Sequence, residues 1–181
     1  MLKLSEYLGN YINKEGERVY YYRPTLPRDC QPYFGFLDID RDPEVDKVEI
    51  LEIPGTISYI TSYFHTSFPN LKRLIVLPIV LPHELCGWDD EPDPIFFGHE
   101  AFCGCPNLKE VHLHRPLCFA NREGRLDWVE PFSDSKDVVF CFHTSKENPL
   151  NVESNKEELD RWHLKYKVMQ DSSFEPGAYY L

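Results

Sequence analysis

The stretch of residues 99–113 constrains the fold more strongly than any other part of the chain, because its apolar residues recur at the spacing of a short strand. Three of them match the spacing L-x-x-L-x-L: Leu108, Val111 and Leu113. The last positions of this spacing alternate as a strand, in which successive side chains point to opposite faces, so Val111 and Leu113 face a core while Glu110 and His112 point outward. The pattern therefore predicts a short strand with one buried face and one open face.

The same frame recurs along the chain, which indicates a series of stacked coils. Four residues occupy the central strand position of successive copies: Leu51, Leu74, Val111 and Phe140. They are 23, 37 and 29 residues apart, whereas repeats of this kind span about 20–29 residues. The middle separation requires an insertion, and a polar stretch that contains Pro92 and Pro94 lies there. We predict that the four residues lie side by side in a parallel sheet.

The third copy carries a recognisable set of residues: Ala101, Phe102, Cys105, Leu108, Val111 and Leu113. This set resembles the BspA-type leucine-rich repeat, whose pattern contains Ala-Phe-x-x-Cys-x-x-Leu-x-x-Ile-x-Leu. An earlier copy has Phe68 at the cysteine position. The resemblance covers residues 45–145 and implies an α/β repeat fold, a short and irregular leucine-rich-repeat solenoid with a parallel strand sheet. It also implies a non-enzymatic, protein-binding role.

We predict a single domain over residues 1–181. A repeat stack that is open at both ends exposes its apolar core, so the terminal segments are expected to cover it. The predicted parts are an N-terminal cap over residues 1–44, repeats over 45–145 with insertions near 83–97 and 117–136, and a C-terminal cap helix and tail over 146–181.

The predicted caps have sequence patterns of their own. Residues 4–12 carry apolar side chains at helical spacing and predict a short helix that ends at a turn over residues 13–16. Residues 19–24 and 33–39 predict two strands, which are either divergent repeats or parts of the cap.

A helix is also expected near the C-terminus. Ser154 and Glu157 have the spacing of a capping box. Leu159, Trp162 and Tyr166 follow at i, i+3 and i+7, which places them on one face of a helix. We predict that this helix packs Trp162 on the last repeat.

Composition limits the classes of partner. The chain has a formal net charge of −11 at pH 7, whereas binding to a nucleic acid or to an anionic membrane surface depends on clustered Lys and Arg. With 42% hydrophobic and 14% aromatic residues, the chain can bury a core and is not disordered. The acidic balance reflects either solubility alone or an acidic face for a basic partner.

The N-terminus and the cysteines indicate the compartment. Glu6 and Gly9 interrupt the first residues before a long apolar run can form, so we predict no secretory signal and a cytoplasmic protein. The six cysteines permit a disulfide framework. We expect reduced thiols instead, because the chain is not short and the repeat frame places Cys105 in the core.

Several residues of metal-binding types lie within residues 103–118: Cys103, Cys105, His112, His114 and Cys118. The repeat frame sends Cys105 inward and His112 outward, so we expect no zinc site and no cofactor. Cys141 and His112 form a candidate pair for nucleophilic catalysis, because the alignment places them side by side. No glycine-rich phosphate loop, G-x-S-x-G or H-E-x-x-H motif occurs, and we predict that the chain is not an enzyme.

The predicted open face is the candidate binding surface, because it combines apolar groups with charges and imidazoles. The first insertion adds an acidic loop that either docks a partner or is a tolerated loop whose Trp88 folds back. Alternatively, the predicted insertions cover Ile75 and Leu77, and the face is not open. Histidines in the face predict binding that changes with pH near neutrality. The predicted partner-binding residues are Glu52, Arg73, Ile75, Leu77, Trp88, Asp89, Asp90, Glu91, Glu110, His112, His114, Cys141 and His143.

Two classes of function are compatible with these patterns. The leading one is a module that binds another protein, and its more specific version is an acidic immunity-type protein that neutralises a basic toxin or effector. The rival class is a metal-binding protein or an enzyme that uses the Cys and His residues. Bound zinc or a single hyper-reactive thiol would distinguish the rival class.

Overall fold

The part of the chain that the structure describes forms two sheets of short strands with little helix. In the computed structural model the described residues are 7–23, 33–34, 43–55, 57, 59–60, 68–78, 94–98, 101–119, 131–146, 149–150 and 152–170. They include one α-helix, α1 (Glu153–Arg161), and one 3₁₀ turn (Pro43–Lys47).

The larger sheet has seven strands in the order β1-β2-β4-β6-β8-β10-β11. These strands are β1 (Leu8–Ile12), β2 (Arg18–Tyr22), β4 (Ile50–Ile53), β6 (Arg73–Val76), β8 (Glu110–Leu113), β10 (Val139–Thr144) and β11 (Lys165–Gln170). β1 and β2 pair antiparallel, and every later neighbouring pair is parallel.

The smaller sheet has four parallel strands in the order β3-β5-β7-β9. They are β3 (Tyr33–Phe34), β5 (Tyr59–Ile60), β7 (Ile95–Phe97) and β9 (Leu117–Phe119). The chain passes from β4 to β5, from β6 to β7 and from β8 to β9, which makes about three turns of a β-solenoid-like coil. The predicted stack of parallel repeats is therefore confirmed at this level.

The predicted strand register is also confirmed. Leu51 pairs with Leu74, and Leu74 pairs with Val111, which in turn pairs with Phe140. All four side chains are fully buried. Because a shift of one residue would turn each of these side chains to the opposite face, burial of one face fixes the register.

A common turn precedes each of these strands. The amides of Val48, Leu71, Leu108 and Val138 each donate to the carbonyl three residues earlier, at Val45, Phe68, Cys105 and Ser135 respectively. Phe102 and Phe132 lie three residues before the acceptors Cys105 and Ser135. Both have positive φ angles, of 57° and 62°. Their rings stack at 5.7 Å between centroids, so the fourth copy begins near Phe132 and repeats the backbone of the third.

Both predicted insertions contain strands of the smaller sheet. Within 83–97, Ile95–Phe97 is β7, and within 117–136, Leu117–Phe119 is β9. Ile95, Phe97, Leu117 and Phe119 are buried, so both predicted insertions contribute strands that face the core. Phe132, in the second predicted insertion, is also buried in the core. Residues 83–93, with Trp88, and 120–130, with Trp128, lie outside the described residues.

The predicted N-terminal helix is wrong over residues 8–12, which form β1. β1 and β2 make an antiparallel hairpin that adds two strands to the first edge of the larger sheet. The turn predicted over residues 13–16 is confirmed, since the amide of Gly16 donates to the carbonyl of Asn13 and Gly16 has a φ of 80°. The tyrosines of this segment favour a strand, and β2 supplies the neighbour that β1 needs.

The C-terminal helix ends before Trp162 and Tyr166, two of the three residues predicted to share one of its faces. α1 begins at Glu153, so Ser154 lies inside the helix and the predicted capping box with Glu157 is wrong. The helix ends at Arg161, followed by His163 with a φ of 53°. Leu159 is buried, and Trp162 lies after the helix against Phe119 at 6.4 Å between ring centroids. Tyr166 belongs to β11, which pairs in parallel with β10, so its predicted place on the helix is wrong.

Candidate functional site

The outward side chains of β4, β6, β8, β10 and β11 form one continuous surface, which we call the outer face. On β8 and β10 the register sets His112 beside Cys141. His114 and His143 follow the last residues paired between β8 and β10, Leu113 and Phe142. Their rings stack at 4.3 Å between centroids. Titratable side chains that are distant in sequence therefore lie in adjacent positions.

The structure separates the predicted binding residues into three groups. Arg73, Ile75, Glu110, His112 and His143 lie on the outer face and are half-buried. Glu52, Leu77, His114 and Cys141 are buried. Trp88, Asp89, Asp90 and Glu91 lie outside the described residues.

The buried members correct the prediction of a fully open face. The hydroxyl of Tyr11, from the N-terminal hairpin, donates to Glu52 at 2.7 Å. The ring of His143 stacks on His114. Cys141 lies between its neighbours on β8 and β11, which pair with it on both sides. A side chain that points outward from a strand is therefore still buried when long side chains of adjacent strands cover it.

Ionic contacts around Glu110 connect three strands, β6, β8 and β11, and the turn of the N-terminal hairpin. The Arg73 guanidinium lies 3.5 Å from Glu110 Oε2 through Nε and donates to Glu17 at 3.0 Å through Nη1. On the other side, Lys167 Nζ lies 3.5 Å from Glu110 Oε1. Because these side chains are partly exposed, the contacts contribute more to the arrangement of the face than to stability.

A row of ring nitrogens continues from Glu110 along the face. His112 Nε2 lies 3.1 Å from Glu110 Oε2, and His112 Nδ1 lies 2.7 Å from His143 Nε2. A neutral His112 can donate through only one of these nitrogens. It donates either to Glu110, with His143 donating to it, or to His143, which leaves Nε2 with a lone pair towards the carboxylate.

Burial determines the protonation of the histidines. Burial lowers the pKa of His112 below its ordinary value of 6.5. Burial, followed by repulsion from His143, lowers the pKa of His114 to about 3. These two imidazoles stay neutral at pH 7, so we expect their protonation below pH 6.5. A hydrogen bond from His112 holds the pKa of Glu110 below its ordinary value.

Among the described residues, one group of three metal-binding side chains converges: Glu110, His112 and Cys141 each place a ligand atom within 4.8 Å of the others. Cys105 is fully buried in the core, so its predicted separation from His112 is confirmed. The converging cysteine is Cys141, which the sequence analysis named as a candidate nucleophile and as a partner-binding residue but not in the set of metal-binding residues. Burial raises the pKa of Cys141, and a thiol of raised pKa is a weak nucleophile.

Sequence reasoning missed three residues of this surface. Glu17 and Tyr11 reach it from the N-terminal hairpin, and Lys167 reaches it from β11. The alternation of Lys165, Tyr166, Lys167 and Val168 was the available signal for β11.

Comparisons of the chain with protein-family models, with curated proteins and with solved structures found no match. Among the described residues, no helix has both the length and the apolar character that a membrane span requires.

Proposed function

We propose that the protein is a non-enzymatic module of the leucine-rich-repeat type that binds another protein through its outer face. The observation that carries the proposal is the composition of this face. Ile75 lies half-buried at its centre in register with His112, and Arg73 lies in register with Glu110. Apolar groups that are ringed by charges supply contact energy and orientation together.

The charges of the face favour a partner that offers both signs. Arg73 and Lys167 flank Glu110 and Glu17, so the described part of the face does not carry the acidic excess of the chain. For this reason the proposal names no basic toxin as the partner. The resemblance of residues 101–113 to a repeat used in protein recognition is the second support.

The test compares two double variants of the full chain. Glu110→Ala/His112→Ala removes the centre of the outer face. Glu44→Ala/Lys47→Ala removes an exposed ion pair with an N···O distance of 2.7 Å in the 3₁₀ turn. Proteins captured from the native lysate are quantified, and the dissociation constant of each purified candidate is then measured by calorimetry. We expect the face variant to bind about tenfold or more weakly, since central interface residues carry most of the energy.

The control variant should retain the affinity of the wild-type protein. Equal affinity of both variants for every candidate would contradict the proposal. Circular dichroism of the variants shows whether a loss of binding reflects a loss of folding.

A further inference from the structure

Three ligand types meet on the outer face although they come from two different strands. Glu110 and His112 are two residues apart on β8 and therefore share a face, and Cys141 on β10 is the register partner of His112. Their ligand atoms lie within 4.8 Å of one another. We propose that Glu110, His112 and Cys141 bind Zn²⁺, with the fourth coordination position open to solvent.

The donor set selects the metal. Thiolate, imidazole and carboxylate are all ligands of zinc, at distances of about 2.0–2.3 Å, whereas Mg²⁺ and Ca²⁺ prefer oxygen alone. Three ligands within 4.8 Å close around an ion with side-chain rotations, because the backbone register already places them together. The half-buried carboxylate of Glu110 leaves one side of the site towards solvent.

His143 supplies a positioning contact. When His112 Nδ1 donates to His143 Nε2, at 2.7 Å, His112 Nε2 keeps its lone pair and points it towards Glu110, 3.1 Å away. Two electron pairs in this arrangement repel one another unless a cation or a proton lies between them. In metal sites, a hydrogen bond donated by the second nitrogen of a ligand histidine fixes its tautomer.

The charges of the site balance on binding. Cys141 loses its thiol proton to solvent as the sulfur–zinc bond forms, so one thiolate and one carboxylate neutralise the two charges of the ion. Lys167 lies 3.5 Å from Glu110, and its side chain is 47% exposed, so it can turn to solvent as the ion takes its place.

The experiment is a titration of the untagged, chelator-treated full chain with Co²⁺, a spectroscopic substitute for zinc. We expect saturation at one equivalent, a thiolate-to-cobalt charge-transfer band and the intense visible bands of tetrahedral Co²⁺, all removed by added Zn²⁺. Failure to saturate, or a spectrum without the thiolate band, would overturn the proposal.

Variants locate the site. Cys141→Ser should remove the thiolate band, and Glu110→Gln should weaken binding while it leaves the band in place. His143→Ala should weaken Co²⁺ binding by about 10–100-fold, as for other contacts that orient a ligand. Glu110→Gln alters a half-buried side chain and keeps the test decisive if Cys141→Ser does not fold.

The matched controls are Cys103→Ser and His163→Asn, which remove a cysteine and a histidine away from the group. They should bind Co²⁺ as the wild-type protein does. A thiolate band that persists in Cys141→Ser, or one that is lost in either control, would overturn the assignment. The Co²⁺ titration uses the purified chain without a partner protein, so it can fail while the outer face still binds a protein. Bound metal would count towards the rival, metal-binding class of function.

Discussion

Asn155 is predicted to stabilise the fold by completing the open edge of the smaller sheet. It lies in α1, is 7% exposed, and its carboxamide faces Leu117 of the edge strand β9. Its Nδ2 donates to the Leu117 carbonyl, and the Leu117 amide donates to its Oδ1 at 3.4 Å. The side chain thus pairs with the backbone as a further strand would.

The expected loss in the free energy of unfolding follows from the backbone amide and carbonyl of Leu117, which lose their partner when Asn155 is replaced by Ala. Leu117 is 2% exposed. A buried backbone group without a partner costs about 1–3 kcal/mol. Because the amide contact is long, we expect Asn155→Ala to lower the free energy of unfolding by about 2–4 kcal/mol. With a urea dependence of about 2 kcal/mol per molar, the midpoint should fall by about 1–2 M.

The assay is equilibrium unfolding in urea at pH 7.4, followed by far-ultraviolet circular dichroism. Glu157→Ala, an exposed change in the same helix, is the control and should shift the midpoint little. Asn155→Asp keeps the acceptor but loses the donor, and its deficit relative to wild type should shrink at low pH, where the protonated carboxyl donates again. Equal midpoints for Asn155→Ala and Glu157→Ala would refute the reasoning.

Two further predictions concern the core. Leu74→Ala, at a fully buried position, should lower the free energy of unfolding by about 2–5 kcal/mol; a loss below that of an exposed change, measured in the same urea assay, would contradict the packing. Burial raises the pKa of Cys105 to about 12, so iodoacetamide at pH 8 should label half-buried Cys103 in the native protein and Cys105 only after denaturation, as read by mass spectrometry. Because the unfolded chain releases the Cys105 proton at lower pH than the folded one, stability should also fall as pH rises above 9.

The register could be predicted from the sequence because burial of one face leaves little freedom. Once Leu74 and Val111 are assigned to the same inward position, the neighbouring positions follow from alternation. This is why the contact of His112 with Cys141 was predictable without coordinates. Exposure was not predictable, because His114 and Cys141 are covered by side chains of other strands.

The two ends of the chain show where the hydrophobic pattern is ambiguous. Over residues 4–12, the spacing fits a helix, but β2 offers a strand partner and tertiary pairing decides. Tyr166 fits the i+7 position after Leu159, yet the helix ends at Arg161 and Tyr166 alternates with Lys165 and Lys167 in β11. A short run with few apolar residues does not distinguish the period of a helix from that of a strand.

The stacked register is the basis of both the outer face and the metal-binding group, and methyl nuclear Overhauser effects test it most directly. In a protein with labelled Leu and Val methyl groups, Leu74 should show cross-peaks to both Leu51 and Val111, since neighbouring strands lie about 4.8 Å apart. The ring of Phe140 should show a cross-peak to Val111. Absence of the contacts from Leu74 to both neighbours in the folded protein would contradict the account.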